Sequence, residues 1–177
     1  MNDMVIVREA DANDATLIAD MSRRTFYESF SADNTAENMT LFLDTQFTKE
    51  ALVAEVGQPG NVFLLATLDD QPAGYARLAE NTPPPELGPG SAIEIVRIYA
   101  EQWAIGKGVG NALMKYALDL SRQKGLEYIW LGVWEHNHRA KAFYTKWGFE
   151  KFGEHIFVVG TDPQTDWWMR RSLPGQP

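Results

Sequence analysis

The sequence contains no cysteine. That excludes disulfide staples, thiolate metal sites and a cysteinyl-acyl intermediate, and it fits a reducing, cytoplasmic compartment. No apolar run approaches the ~20 residues of a membrane span. Met1 to Ala10 carries acidic residues and no long apolar core, so no signal peptide and no membrane partner are expected. Basic residues are outnumbered: Lys and Arg total 16, Asp and Glu 24, for a formal net charge of −8. A nucleic-acid binder shows the opposite balance, so no nucleic-acid partner is expected. The acidity serves either solubility or a cationic partner. Histidine is sparse, and His136 and His138 lack acidic or cysteine partners at metal-ligand spacing. They read as surface residues, and no metal is expected.

What is present suits one domain spanning 1–177, with 45% apolar residues and length enough to bury a core. Val5 to Val7 predicts a first strand. Asp11 caps a helix that turns Leu17, Ile18, Met21 and Phe26 toward the core. Two further helices are predicted near Glu37–Phe47 and Lys49–Val56. Val62–Leu68 and Tyr75–Ala79 form a hairpin around Asp69–Gly74. Asn81–Gly90, rich in Pro and Gly, is either a loop beside the active site or a plain surface connection. Ala92–Tyr99 is a strand of β-formers. Val109, Leu113, Tyr116, Ala117 and Leu120 fall at helical spacing, and Gly125 ends that helix. Tyr128–Trp134 is nearly all apolar, as in a strand buried on both faces. Asn137–Trp147 is a short helix. Phe149–Val159 and Asp166–Ser172 are final strands joined by Gly160–Gln164. This order predicts an α/β fold with a mixed, mostly antiparallel sheet flanked by helices. Strands 4 and 5 are parallel across a right-handed crossover.

Ile105-Gly106-Lys107-Gly108-Val109-Gly110 lies between a strand and a helix N-terminus. Backbone N–H groups there lack intrahelical acceptors and converge at the positive end of the helix dipole. Glycines admit a bulky anion close to the backbone, so this is a phosphate or pyrophosphate site. Glycines that only cap the helix are one alternative, and a dinucleotide fingerprint is the other. The fingerprint fails because Asn111 breaks G-x-G-x-x-G, and because Ala100 to Ile105 separate strand from glycine.

These residues resemble the GNAT acetyltransferase family. Ile105 to Gly110 is similar to the family's Arg/Gln-x-x-Gly-x-Gly/Ala motif. Asn137-His-Arg-Ala140-Lys-Ala-Phe143-Tyr144-Thr-Lys146-Trp-Gly148-Phe149 resembles its second signature, N-x-x-A-x-x-F-Y-x-K-x-G-F. Glu37-Asn38-Met39, Ile93-Glu94-Ile95, Arg97-Ile98-Tyr99, the run Ile129 to Glu135, and Gln164-Thr165-Asp166 look like the bacterial spermine/spermidine acetyltransferase branch. The departure is Ile105, where the family carries Arg or Gln; its side chain has no donor for a phosphate.

The resemblance implies N-acetyl transfer from acetyl-CoA, used as cosubstrate, to a small-molecule amine. It also implies the pyrophosphate on the amides of Ile105, Gly106, Lys107, Gly108, Val109 and Gly110. Backbone groups of Ile98 and Ala100 would pair with the pantetheine arm like an added strand. Tyr144 would protonate the leaving sulfur, or else pack as a core aromatic beside Phe143. Glu94, a carboxylate in an apolar strand sharing a face with Val96 and Ile98, is the candidate base. Its other reading is a solvated or salt-bridged residue. Asn137 either contacts CoA or caps the following helix; Lys146 either reaches a CoA phosphate or is solvated. A cationic acceptor, polyamines first, would meet Glu28, Asp33, Glu37, Asp44, Glu80 and Glu86. A protein or peptide acceptor, or a non-catalytic acyl-CoA-binding module, would use the same scaffold, and assembly as a homodimer stays open.

Overall fold

The computed structural model describes residues 4–174, so the first and last three residues of the predicted 1–177 domain lie outside it. In chain order the elements are β1 (Val5–Glu9), α1 (Ala15–Phe30), α2 (Ala36–Thr45), α3 (Lys49–Glu55), β2 (Asn61–Leu68) and β3 (Gln71–Ala79). Then come β4 (Ala92–Ala100), α4 (Val109–Gln123), β5 (Tyr128–Trp134), α5 (His138–Lys146), β6 (Glu150–Val159) and β7 (Asp162–Ser172). The strands form one seven-stranded sheet in the order β1-β2-β3-β4-β5-β7-β6. Every neighbouring pair is antiparallel except β4–β5, the mixed sheet expected of the sequence.

The sheet is covered on both faces. On one, Leu113, Met114, Ala117 and Leu118 of α4 bury Ile93, Ile95, Ile129, Leu131 and Val133. Each such side chain stabilises the fold by about 1.5–3 kcal/mol in area terms. On the other, Ile18 and Met21 of α1 pack with Phe63, Leu65 and Tyr75. Phe26, Phe42 and Phe47 cluster beside them, with the Phe26 and Phe42 rings stacked at 4.5 Å. Among the described residues no helix is long and apolar enough to cross a membrane.

Four local expectations change. Asp11 caps a short 3-10 turn, Ala12–Asp14, which then feeds α1; Asp14 returns a bond to the Asp11 N–H at 3.0 Å. Leu17 is 39% exposed, because the buried stripe of α1 runs through Ala15, Ile18, Ser22 and Thr25 and leaves it to one side. It lines an open cleft of about 750 Å³ with Met21, Arg24 and Trp103. Both hairpin connections are tighter than predicted. Asp69 and Asp70 take φ of 50° and 67°, the left-handed pair of a two-residue turn, so β3 begins at Gln71. Likewise Val159 pairs with Asp162, leaving only Gly160 and Thr161 outside the ladder. Pro163 is tolerated in β7 because the β5 ladder reaches only to Asp166.

The fourth change matters most for the site. The β3–β4 register slips between Arg77 and Leu78, which pair with Arg97 and Ile95 and leave Val96 as an extra residue. A bulge of this kind reverses which side later residues face. Ile98 and Ala100 therefore pack with the α4 core, while Tyr99 joins Ile18 and Met21 of α1. Glu94 does not share a face with Ile98 as alternation alone predicts. It lies with Arg97 and Tyr99.

Candidate active site

β4 and β5 pair only from Ala92↔Tyr128 to Ile95↔Leu131. Beyond that, β4 continues to Ala100 and β5 to Trp134 without pairing to each other, so the sheet splits into a wedge. The Glu101 N–H donates to the Ala73 carbonyl of β3 at 2.7 Å. Alternation along the strand therefore turns the N–H and C=O groups of Ile98 and Ala100 into the wedge, where they form a free strand edge.

The glycine turn lies just past the end of β4. Gly106 and Gly108 have φ of 81° and 88°, and no atom lies within 4 Å of where a Cβ would sit on either. The requirement is therefore for backbone conformation and for clearance above the turn. The first intrahelical acceptor of α4 is the Gly108 carbonyl, bound by Ala112 N–H at 3.0 Å, so the amides of Val109, Gly110 and Asn111 point out of the helix end. Two of the predicted residues donate elsewhere. The Ile105 N–H goes to Gln102 O at 3.4 Å and the Lys107 N–H to Ala104 O at 3.2 Å. The Lys107 side chain lies over Trp103, its Nζ 5.7 Å from the ring centroid. The Val109 side chain is buried, leaving only its amide. Ile105 presents an exposed apolar side chain beside this turn.

α5 is fastened against the same helix end. The Trp147 indole N–H donates to Asn111 Oδ1 at 3.0 Å, and a Cβ on Gly110 would touch the Phe143 ring at 3.5 Å. The two sequence signatures thus meet in space. Tyr144 is 9% exposed and packs edge-on to Phe149 at 5.8 Å. Burial alone pushes its phenol well above the ordinary value, so it stays protonated. Tyr99 is likewise pushed up, first by burial. Asn137 caps α5, its Oδ1 accepting from Ala140 N–H at 3.2 Å, and Lys146 is an exposed lysine at the far end of that helix.

On the opposite face, burial raises Glu94 above the ordinary carboxylate range; a 2.8 Å bond from Asn81 and the charges of Arg77 and His155 oppose the rise. The Pro-rich loop thus touches the candidate base through Asn81. The surface acids are dispersed and exposed: Asp44 pairs with Arg23 at 3.7 Å and Glu80 with Lys124 at 3.5 Å. Of the group, Glu86 lies against Gly153, whose Cβ position is 3.8 Å from Glu86 Cβ and 2.9 Å from the Trp168 ring. His136 and His138 are exposed, as expected.

Asp166 was not singled out from the sequence as a candidate for the site. It faces Trp134 of β5 and His155 of β6 in the register, and burial pushes its carboxyl up to about 6. Its signal in the sequence was an acid inside an aromatic strand, Asp166-Trp-Trp-Met. Its neighbours, however, are set by the β5-β7-β6 order. Gly132 was not singled out either, and it corrects the expectation that β5 is covered on both faces. It is exposed although β5 is an interior strand.

The wedge between the two parallel strands, the glycine turn at a helix N-terminus and the buried phenol of α5 make up the candidate site. The model of the acetyltransferase (GNAT) family matches residues 19–149, and the chain belongs to that family. It is an N-acetyltransferase. It is 36% identical over 174 residues, 98% of this chain and 99% of the relative, to an uncharacterized N-acetyltransferase in the pepI 3' region of Lactobacillus delbrueckii subsp. lactis. The fold is similar to that of the PaiA N-acetyltransferase of Thermoplasma acidophilum in complex with coenzyme A, with a TM-score of 0.75, 19% identity, and 96% and 99% of the two chains covered. It is also similar to the putative acetyltransferase YncA of Salmonella typhimurium with acetyl-CoA, with a TM-score of 0.74, 17% identity, and 98% and 96% covered.

Proposed function

We propose that the enzyme transfers the acetyl group of acetyl-CoA to the primary amine of a small cationic molecule, polyamines being the first acceptors to try, by direct transfer in a ternary complex. The observation that carries this reading is the wedge. The free edge of β4 at Ile98 and Ala100 is the right partner for the amide-bearing pantetheine arm. The outward amides of Val109, Gly110 and Asn111, above the open turn at Gly106 and Gly108, suit its pyrophosphate. Lys107 and Lys146 supply side-chain charge, and Asn137 retains its Nδ2 donors beyond the cap.

The chemistry follows from the residues. An alkyl ammonium must lose a proton before it can attack, and its pKa is near 10. Glu94, raised by burial, takes that proton directly or through water. The amine nitrogen then bonds to the thioester carbon, and the C–S bond breaks as the tetrahedral intermediate collapses. Tyr144 gives its proton to the departing sulfur. The second proton on nitrogen restores the phenol, and Glu94 releases its proton to solvent. Without cysteine the acyl group has no thiol on the enzyme to rest on.

Support for a cationic acceptor comes from the net charge of −8 and from the segments that resemble the spermine/spermidine branch. The test is thiol release from acetyl-CoA across an amine panel, comparing spermidine with a monoamine of similar length at low and high salt. Spermidine is expected to have the higher kcat/KM, with the advantage shrinking as salt rises. Equal values, or no salt dependence, would remove the polyamine reading and leave the acetyltransferase.

A further result is expected of Ile105. Its exposed side chain borders the outward amides, so Ile105→Arg should tighten CoA binding at low salt by ~1–2 kcal/mol, through a charge-assisted bond to phosphate. An unchanged dissociation constant would show that this side chain turns away from the donor.

A further inference from the structure

β5 runs between β4 and β7, yet Gly132 within it is open to solvent. An exposed residue in the middle of a covered sheet is the floor of a cleft that reaches the backbone. The register places Trp134 and Asp166, Gly132 and Trp168, and His155 on one face, the face of α1 and α2. Phe30 of α1 stands edge-on to Trp134 with ring centroids 6.4 Å apart, and His155 stacks on Trp168 at 4.9 Å.

Two polar atoms overhang this floor. A Cβ on Gly132 would lie 3.4 Å from His155 Nε2 and 3.6 Å from Asp166 Oδ2. These atoms are 3.8 Å apart, too far to bond each other. Asp166, partly buried with its side chain 16% exposed, accepts no hydrogen bond from another side chain or amide among the described residues, so its carboxylate is free for a donor arriving in the cleft. One register pair along on the same face is Trp130, 6% exposed, whose indole Nε1 also has no partner. An unsupplied carboxylate, an imidazole nitrogen at bridging distance and aromatic walls are what an ammonium group would complete: it brings the missing donors and the positive charge, and the ring faces favour it. Among the described residues no group of three His, Asp or Glu converges as a metal site.

We propose that Asp166, together with His155 Nε2 over the floor of Gly132, is the seat of the acceptor's ammonium group, and that Asp166 is the residue by which this transferase selects a cationic amine. The proposal rests on the N-acetyltransferase reading and assigns a specificity residue to its acceptor side, with Glu94 kept as the proton acceptor. Of the titratable groups, His155 of β6 lies 3.8 Å from Asp166, Tyr99 of β4 is near enough to feel its charge, and Glu94 of β4 acts on His155. Burial holds His155 below its ordinary value, against a backbone contact at Ile156 and the Glu94 charge, so it is a neutral acceptor at neutral pH. With the Asp166 carboxyl at about 6, the seat loses its charge as pH falls through that value.

The test uses the full-length enzyme saturated with CoA, a dead-end complex, titrated calorimetrically with butylamine and with spermidine between pH 5 and 8. The wild type is expected to bind both, more weakly as pH falls through about 6. Asp166→Asn, which keeps the shape, should bind at least ~10-fold more weakly and without that pH step, since the loss of a charged hydrogen-bond partner is at stake. Its affinity for CoA should not change. Gly132→Ala, whose added carbon fits beside His155 and Asp166, should weaken both amines several-fold by occupying the seat. Failure of the wild type to bind either amine, or equal amine affinity in Asp166→Asn, overturns the proposal. Amine binding lost in Asp166→Asn but with no thiol release from acetyl-CoA in the wild type would instead overturn the proposed reaction and leave the seat standing.

Discussion

Gly108→Glu is expected to abolish the stabilisation of the enzyme by acetyl-CoA. A donor at a hundred times its dissociation constant stabilises the wild type by about 2.7 kcal/mol, visible as a rise in Tm. The φ of 88° at Gly108 opens the turn, and the space above its Cα is clear. A glutamate there fills that space with a carboxylate facing the donor's phosphates. Because a Cβ meets nothing, the variant should fold, at a cost of ~1–2 kcal/mol for a left-handed non-glycine residue. Gly108→Ala separates the two effects, since it carries the conformational strain without the charge; it should keep part of the acetyl-CoA response. Thermal shift and calorimetric titration of both variants make the check. A folded Gly108→Glu protein with wild-type acetyl-CoA affinity would show that the donor does not use this turn.

Tyr144→Phe is expected to lower kcat by ~10²–10⁴-fold while leaving the KM for acetyl-CoA nearly unchanged. The phenol is buried between Phe143 and Phe149, so removing only its oxygen keeps the packing. Stability should therefore change little. A group kept protonated by burial cannot serve as a base near neutral pH, but it can return a proton to a thiolate formed beside it. The loss corresponds to ~3–5 kcal/mol of transition-state stabilisation. Single-turnover thiol release with spermidine reads it directly. An unimpaired Phe variant would pass the acid role to water, and Tyr144 would then be a core aromatic only.

Much of the geometry of the proposed donor side was legible in the sequence because it is local. The glycines, the helix that follows them and the Phe143-Tyr144 pair act through short segments whose spacing is itself the signal. Two of those residues are still modified by their surroundings: Lys107 and Ile105 spend their N–H groups within the turn, which no spacing rule reveals. The acceptor side was barely legible. Surface acids drew attention because they are charged and close in sequence, yet the structure disperses them on exposed faces.

By itself the sequence determined the elements, the parallel crossover between β4 and β5, the outward amides at the helix end and the absence of a thiol intermediate. These depend on periodicity, glycine conformation and composition, which are properties of neighbouring residues. Only the tertiary structure decided three things. The bulge at Val96 turned Ile98 and Ala100 away from the face of Glu94. The final hairpin entered with β7 beside β5. Asp166 and His155 were thereby brought over Gly132. A register slip reverses facing without altering the residues, and the choice of strand neighbour is made by packing across the sheet, so both lie beyond what a linear pattern can carry.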